Sequence, residues 1–202
     1  MTIKTIIWGL AGVLLHPTHG TFNSLLAERL GAPLEAVDRV MGSPEDILWD
    51  LGEIDDDAFY THVLCELNIP LDKKAIIAKF VVEDFHIDLE LLDKVRELHK
   101  TYYSLLLTNF PYHLHKFLRT AWHVNGAFDH IIASCDVKLI KPDPRIYYLA
   151  LERAACRAEE AVFIDDREVN VRAAEKLGIQ GILYQNADQT INDLIMVLNK
   201  QL

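Results

Sequence analysis

After residue 86, short apolar runs alternate with longer amphipathic stretches, and few folds can accommodate that alternation. The runs are Tyr103–Thr108, His130–Ser134, Ala161–Ile164 and Ile179–Tyr184, and an earlier one, Ile3–Trp8, opens the chain. Helices are predicted over 89–100, 112–123, 144–155, 168–177 and about 190–200. Strands separated by helices of this length imply right-handed crossovers and a parallel sheet. The continuous apolar character of Ile3–Trp8 suits a strand covered on both faces. The fold class is therefore α/β, a three-layer Rossmann-like parallel sheet.

Residues 20–85 follow another pattern. Helices are expected over 21–31, from Pro33 to about Met41, from Asp55 through Leu67, and from Asp72 toward Phe85, with no strand among them. We expect a small all-helical insert over 19–85 and a core made of 1–18 and 86–202. The chain has 202 residues, which suits one domain carrying such an insert.

Half of the residues are hydrophobic and the formal net charge is -10. An acidic surface repels nucleic acid and anionic membranes, so neither is an expected partner. Cys65, Cys135 and Cys156 are widely spaced and form no C-x-x-C pair, which argues against a disulfide framework or a zinc site. Buried or half-buried thiols in a reducing cytoplasm are the expectation. Lys4 followed by the apolar run Thr5–Leu15 resembles a signal peptide, but the run is too short to span a bilayer and no small-x-small cleavage site follows. It reads as a buried first strand ending in a glycine turn.

Parallel sheets bind ligands beyond the carboxyl ends of their strands. The residues there are Gly9–Gly12, Thr108-Asn109, Lys141-Pro-Asp-Pro144 and Asp165-Asp166, with Asn170 four residues further on. In this order and spacing, the four segments resemble the four motifs of the haloacid dehalogenase superfamily, and the resemblance covers nearly the whole chain. The insert resembles the small helical cap that one subgroup places after its first motif. The stretch Gly52–Phe59 is similar to the cap of bacterial glucose-1-phosphate phosphatase-like hydrolases.

The resemblance implies a chemistry and also a defect in it. In the family, the first motif is Asp-x-Asp: one Asp attacks phosphorus and binds Mg²⁺, and the other acts as acid and base. Here Gly9 and Ala11 stand at those places. Neither side chain can act as a nucleophile or move a proton. Loss of a nucleophile costs on the order of a million-fold in turnover. By the same resemblance, Thr108, Asn109 and Lys141 would hold a phosphate, helped by backbone N–H groups of Leu10 to Gly12. Asp166 would be a direct Mg²⁺ ligand and Asp165 an outer-shell one, in a weakened site. Lys141 is expected to pair with Asp165 or Asp166.

Three readings follow. The first is a catalytically silent relative that binds inorganic phosphate, a small phosphorylated metabolite or a protein partner. The second is a hydrolase with relocated catalytic residues, and the third an inactivated form of an otherwise active phosphatase. His16 and His19 are expected as exposed loop residues, and Asp136 and Asp143 as loop and cap residues. His113 and His115 do not share a helix face, so a joint metal site is not expected. Trp8, Trp49 and Trp122 are expected in packing roles, and Phe22, Trp49 and Tyr60 are candidates to face a ligand.

Overall fold

The computed structural model describes residues 2–112, 114–124 and 126–199. Its centre is a five-stranded sheet, all of whose pairings are parallel, in the order β5-β4-β1-β6-β7. The strands are β1 (Thr5–Trp8), β4 (Tyr103–Thr108), β5 (His130–Ala133), β6 (Ala161–Asp165) and β7 (Gln180–Leu183). The first strand lies centrally, with Ile7 beside Leu105 on one neighbour and Phe163 on the other. The chain moves outward from β1 in one direction and then returns to the other side, so the carboxyl ends of β1, β4 and β6 meet at a topological switch point.

Strand pleating divides the core into two layers. Ile6, Trp8, Leu106 and Ile164 point to the face covered by Leu91, Leu92 and Val95 of α6 (Leu89–His99) and by Leu194 of α11 (Ala187–Asn199). Ile7, Leu105, Leu107 and Phe163 point to the other face, against Ile146, Tyr147 and Ala150 of α9 (Pro144–Arg153) and Ala174 of α10 (Glu168–Glu175). The sheet is thus a hydrophobic slab between helices, as its apolar strands require. The helix starts are set locally. Asp88 accepts a hydrogen bond from the Leu91 N–H at 2.9 Å, and Asp143 accepts one from Arg145 N–H at 2.9 Å ahead of Pro144. A short helix α7 (Leu114–Thr120) follows β4, and α8 (Ser134–Val137) follows β5, one residue earlier than the expected strand end.

Between β1 and α6 lie five α-helices: α1 (Phe22–Leu30), α2 (Leu34–Val40), α3 (Pro44–Asp50), α4 (Asp56–Glu66) and α5 (Lys74–Asp84). Two expectations need correction here. The segment 44–50 is helical, and its short run between Gly42 and Gly52 gave too little periodicity to be recognised. The last helix stops at Asp84, and Phe85 begins a strand: β3 (Phe85–Ile87) pairs antiparallel with β2 (Leu15–Pro17). Three-residue strands fall below what an alternating pattern can reveal. Thr18 N–H to Asp84 carbonyl and Asp88 N–H to Leu14 carbonyl, at 2.8 and 2.9 Å, extend the ribbon. The chain therefore leaves the sheet and returns to it side by side. The helical insert has its own core, in which Trp49 stacks on Phe59 at 4.1 Å and meets Tyr60 edge-on.

Candidate anion site between sheet and cap helices

Around the switch point a cavity of about 420 Å³ opens above the strand ends, bounded by Ala11, Thr108, Lys141, Asp165 and Arg167 below and by Asp50 above. A second cavity of about 250 Å³ adjoins it under α3, lined by Phe22, Asp46, Trp49 and Asp50. Ala11, Phe22, Asp50 and Asn109 border both.

Lys141 and Asp165 form the buried centre, at 6% and 1% exposure. The Lys141 ammonium donates to Asp165 Oδ2 at 2.6 Å and to the Leu107 carbonyl at 2.9 Å. Asp165 Oδ1 accepts from Arg167 N–H at 3.0 Å and from Asn170 Nδ2 at 2.8 Å. Both oxygens are thus engaged by protein donors, which is what makes a buried ion pair tolerable. Of the two partners the sequence left open for Lys141, the structure gives Asp165. The Asn109 side chain clamps the Lys141 backbone, accepting from its N–H at 2.8 Å and donating to its carbonyl at 3.0 Å. Thr108 is buried, and its hydroxyl makes only a 3.5 Å contact with the Asn109 carbonyl.

The turn after β1 departs from expectation in part. Gly12 N–H is spent on the Leu15 carbonyl at 2.9 Å, leaving the amides of Leu10 and Ala11 as the ones without a backbone acceptor in that turn. Gly12 has φ +78°, and any β-carbon there would collide with the Asp166 carboxylate, which folds over the turn. Gly9 is buried and its N–H binds the Ile164 carbonyl at 2.8 Å. A β-carbon at Gly9 would lie 3.1 Å from Asp165 Oδ2 and 3.2 Å from the Ile164 carbonyl oxygen. The space beside Gly9 is therefore partly taken by the carboxylate of the ion pair.

These carboxylates do not fit Mg²⁺ as they stand. Mg²⁺ needs oxygen ligands in near-octahedral array. Asp165 has both oxygens committed and Asp166 packs on Gly12, and Gly9 and Ala11 contribute no oxygen from a side chain. Among the described residues, no group of three or more His, Cys, Asp or Glu is arranged to hold a metal ion.

Three charged residues of the site were not singled out from the sequence. Asp46 and Asp50 sit one turn apart on α3 and face the cleft. Burial raises the Asp50 carboxyl to about 7, reinforced by the Asp46 charge and opposed by Lys141 and Arg167. Burial likewise raises Asp46 to about 6, against the opposing charge of Arg167. Asp166 is raised too, first by desolvation and then by Asp165. Arg167 lies at the exposed mouth, its guanidinium in no ion pair among the described residues. The i, i+4 spacing of Asp46 and Asp50 beside Trp49, and a guanidinium directly after Asp165-Asp166, were the available signals.

The remaining candidates are placed as follows. His16 is half-buried rather than exposed, bonded to the Val13 carbonyl at 2.9 Å and stacked on Tyr184. His19 is exposed and bonds Glu28. Asp143 caps α9, and Asp136 lies in α8. Trp8, Trp49 and Trp122 are buried. Phe22 and Trp49 line the cleft, whereas Tyr60 packs against Trp49. Cys135 is buried and Cys156 half-buried, but Cys65 is exposed on α4; all three are free. His113 and the side chain of His115 lie outside the described residues. No helix is long and apolar enough to cross a membrane among the described residues.

The architecture has solved counterparts. A predicted HAD-like family hydrolase from Porphyromonas gingivalis superposes with a TM-score of 0.82 over 98% of both chains, at 22% identity. A HAD family enzyme from Bacteroides thetaiotaomicron superposes at 0.78 over 92% of this chain and 95% of its own, also at 22% identity. The latter protein is also solved with magnesium and inorganic phosphate, both as wild type and as an Asp-to-Ala mutant. Among characterised sequences, the sesquiterpene phosphatase astK of Aspergillus oryzae is 25% identical over 96% of this chain and 95% of its own. Bifunctional epoxide hydrolase 2 of Mus musculus is 36% identical over 37% of this chain, and the match spans only 13% of that longer protein. The family model of haloacid dehalogenase-like hydrolases matches residues 3–178, and with the parallel sheet and helical insert in place, the chain belongs to that family.

Proposed function

We propose that this chain binds inorganic phosphate or a small phosphorylated metabolite in the cleft and does not carry it through an aspartyl-phosphate. The observation that carries the reading is the end of β1. Gly9 faces the Lys141–Asp165 pair with no carboxylate of its own, and Asp165 Oδ2 lies 3.1 Å from where a side chain would begin. No nucleophile is held where the core charges converge. The remaining groups suit an anion: the Thr108 hydroxyl, the Ala11 amide, the Lys141 charge and the Arg167 guanidinium. Two relatives support the phosphate chemistry, the Aspergillus sesquiterpene phosphatase by its activity and the Bacteroides enzyme by its bound phosphate. The helices over 19–85 serve in this reading as a cap over the ligand, and Mg²⁺ binding is weak, because both Asp165 oxygens are committed and Asp166 packs on Gly12.

The test is hydrolysis of para-nitrophenyl phosphate with Mg²⁺ by the chain as it stands and by a Gly9→Asp/Ala11→Asp double variant. Gly9 has no positive φ, so its backbone admits an aspartate, provided Asp165, Val13 and the Ile164 carbonyl each give by a few tenths of an ångström. The expected result is silence for the chain and measurable turnover for the double variant. Turnover by the unmodified chain that disappears on Asp165→Asn would overturn the proposal.

A further inference from the structure

The helical insert brings the Asp50 carboxyl to the proposed anion cleft, and no ion pair among the described residues neutralises it. The backbone that carries this group is pinned. Ser134 Oγ donates to the Asp50 carbonyl at 2.5 Å, and the Lys138 ammonium donates to the carbonyls of Leu51 and Gly52 at 2.8 and 2.7 Å. Ser134 in turn accepts the Phe110 N–H at 2.9 Å, so the end of α3 is tied to the end of β4. Asp50 lines both cavities together with Ala11 and Asn109, and the larger one together with Lys141. No group among the described residues hydrogen-bonds its carboxyl oxygens. Lys141 acts on it only at a distance, being bonded to Asp165 and the Leu107 carbonyl.

An ionised Asp50 would repel a phosphate bound below it. A protonated Asp50 would be a hydrogen-bond donor aimed at that phosphate. We propose that Asp50 takes part in ligand binding as the neutral acid, donating its carboxyl hydrogen from the cap to an oxygen of the anion in the core cradle. This rests on the phosphate-pocket reading and deepens it: the site is a proton-coupled anion receptor. Binding joins protein, anion and one solvent proton, which stays on the Asp50–anion hydrogen bond; no covalent bond changes. The surroundings agree in direction. The groups acting on Asp50 are Asp46 from its own helix and Lys141 and Arg167 from the core, while Asp165 and Asp166 share the cavity. Desolvation and Asp46 already bring Asp50 to about 7 without ligand, and a bound anion adds to both effects.

Sulfate is the probe of choice, because it stays fully ionised across the pH range and any pH dependence then belongs to the protein. Titration calorimetry should show sulfate affinity falling about five- to tenfold per pH unit above 7 and levelling off below 6. The Asp50→Asn variant, which mimics the neutral acid in shape, should bind with one affinity from pH 6.5 to 8.5. Asp46→Asn should leave the dependence above pH 7 in place. As a second measurement on the unmodified protein, heats at pH 8 in Tris and in HEPES should differ by the uptake of about one proton. A wild-type affinity that is constant or rises with pH would overturn the proposal, as would an Asp50→Asn variant that keeps the wild-type slope. Binding without pH dependence would remove the proton coupling and leave the phosphate pocket standing. No binding of sulfate or phosphate at any pH would remove both.

Discussion

The Lys141–Asp165 pair concentrates the energetics of the site in two buried side chains. A buried charge is tolerated only while its partner remains, so breaking one side costs more than the pair contributes. Lys141→Met should destabilise the fold by about 3–5 kcal/mol in urea unfolding, with most of that recovered in Lys141→Met/Asp165→Asn. If the double variant is no better than the single one, Lys141 matters through packing against Phe163, 5.6 Å from its ammonium, and not through charge. Gly12 gives a second case. Its positive φ and the overlying Asp166 carboxylate are separate penalties for any side chain. Gly12→Ala should cost about 1–3 kcal/mol, and the part due to collision should vanish in an Asp166→Gly background while the backbone part persists. At this scale the sequence was informative about identity and narrowed the partner of Lys141 to Asp165 or Asp166 without choosing between them. Thr108, Asn109, Lys141, Asp165 and Asp166 could be located from strand ends alone. That the Asn109 side chain clamps Lys141, or that Asp165 fills space beside Gly9, depends on contacts between residues dozens of positions apart.

Among the elements, the core strands were legible because each is a continuous apolar run between turn residues, and burial on both faces demands that composition. The short helix α3 was not legible, and it carries Asp46 and Asp50. Its C-terminal carbonyls are satisfied by a serine hydroxyl and a lysine ammonium from the core, a favourable end for a helix dipole. Gly52 is required there: φ is +62°, and a β-carbon would approach Lys138 Nζ at 2.9 Å. Ser134→Ala would remove the hydroxyl that bonds both the Phe110 N–H and the Asp50 carbonyl, so a loss of roughly 1–3 kcal/mol is expected. Amide exchange should accelerate selectively around residues 48–53; uniform acceleration over the sheet would mean that Ser134 supports the core rather than the tether. The same helix sets a pH dependence. Asp46 and Asp50 have folded-state values above their unfolded ones, so their contribution is fully present below about 3.8 and is lost as pH rises to about 7. Asp50→Asn should therefore be more stable than the parent by roughly 1 kcal/mol above pH 7, after allowance for solvent screening, with the difference shrinking toward pH 4.

For the whole molecule, the question is what a haloacid dehalogenase-like scaffold does with Gly9 and Ala11 at the end of its central strand. At the floor of the cleft Lys141 is already neutralised by Asp165, so a divalent cation there meets an Asp165 with both oxygens committed and an Asp166 packed on Gly12. An anion meets Arg167, free amides in the turn after β1, and a cap carboxyl that becomes a donor when protonated. The two ligands should therefore separate in a thermal unfolding experiment. A ligand at a hundred times its dissociation constant adds about 2.7 kcal/mol to a protein that binds it only when folded. For a chain of this length each kcal/mol is worth about 2–4 °C. Phosphate near saturation should thus raise Tm by roughly 5–10 °C at pH 6 and by less at pH 8, whereas Mg²⁺ alone at millimolar concentration should leave it within about 1 °C. The reverse pattern, a large shift with Mg²⁺ and none with phosphate, would mean that Asp165 releases Lys141 to take up the metal and that the cleft works as a cation site. In the expected pattern, the Gly9→Asp/Ala11→Asp variant should gain a Mg²⁺ shift that the parent lacks, because the introduced carboxylates supply oxygen ligands at the end of β1.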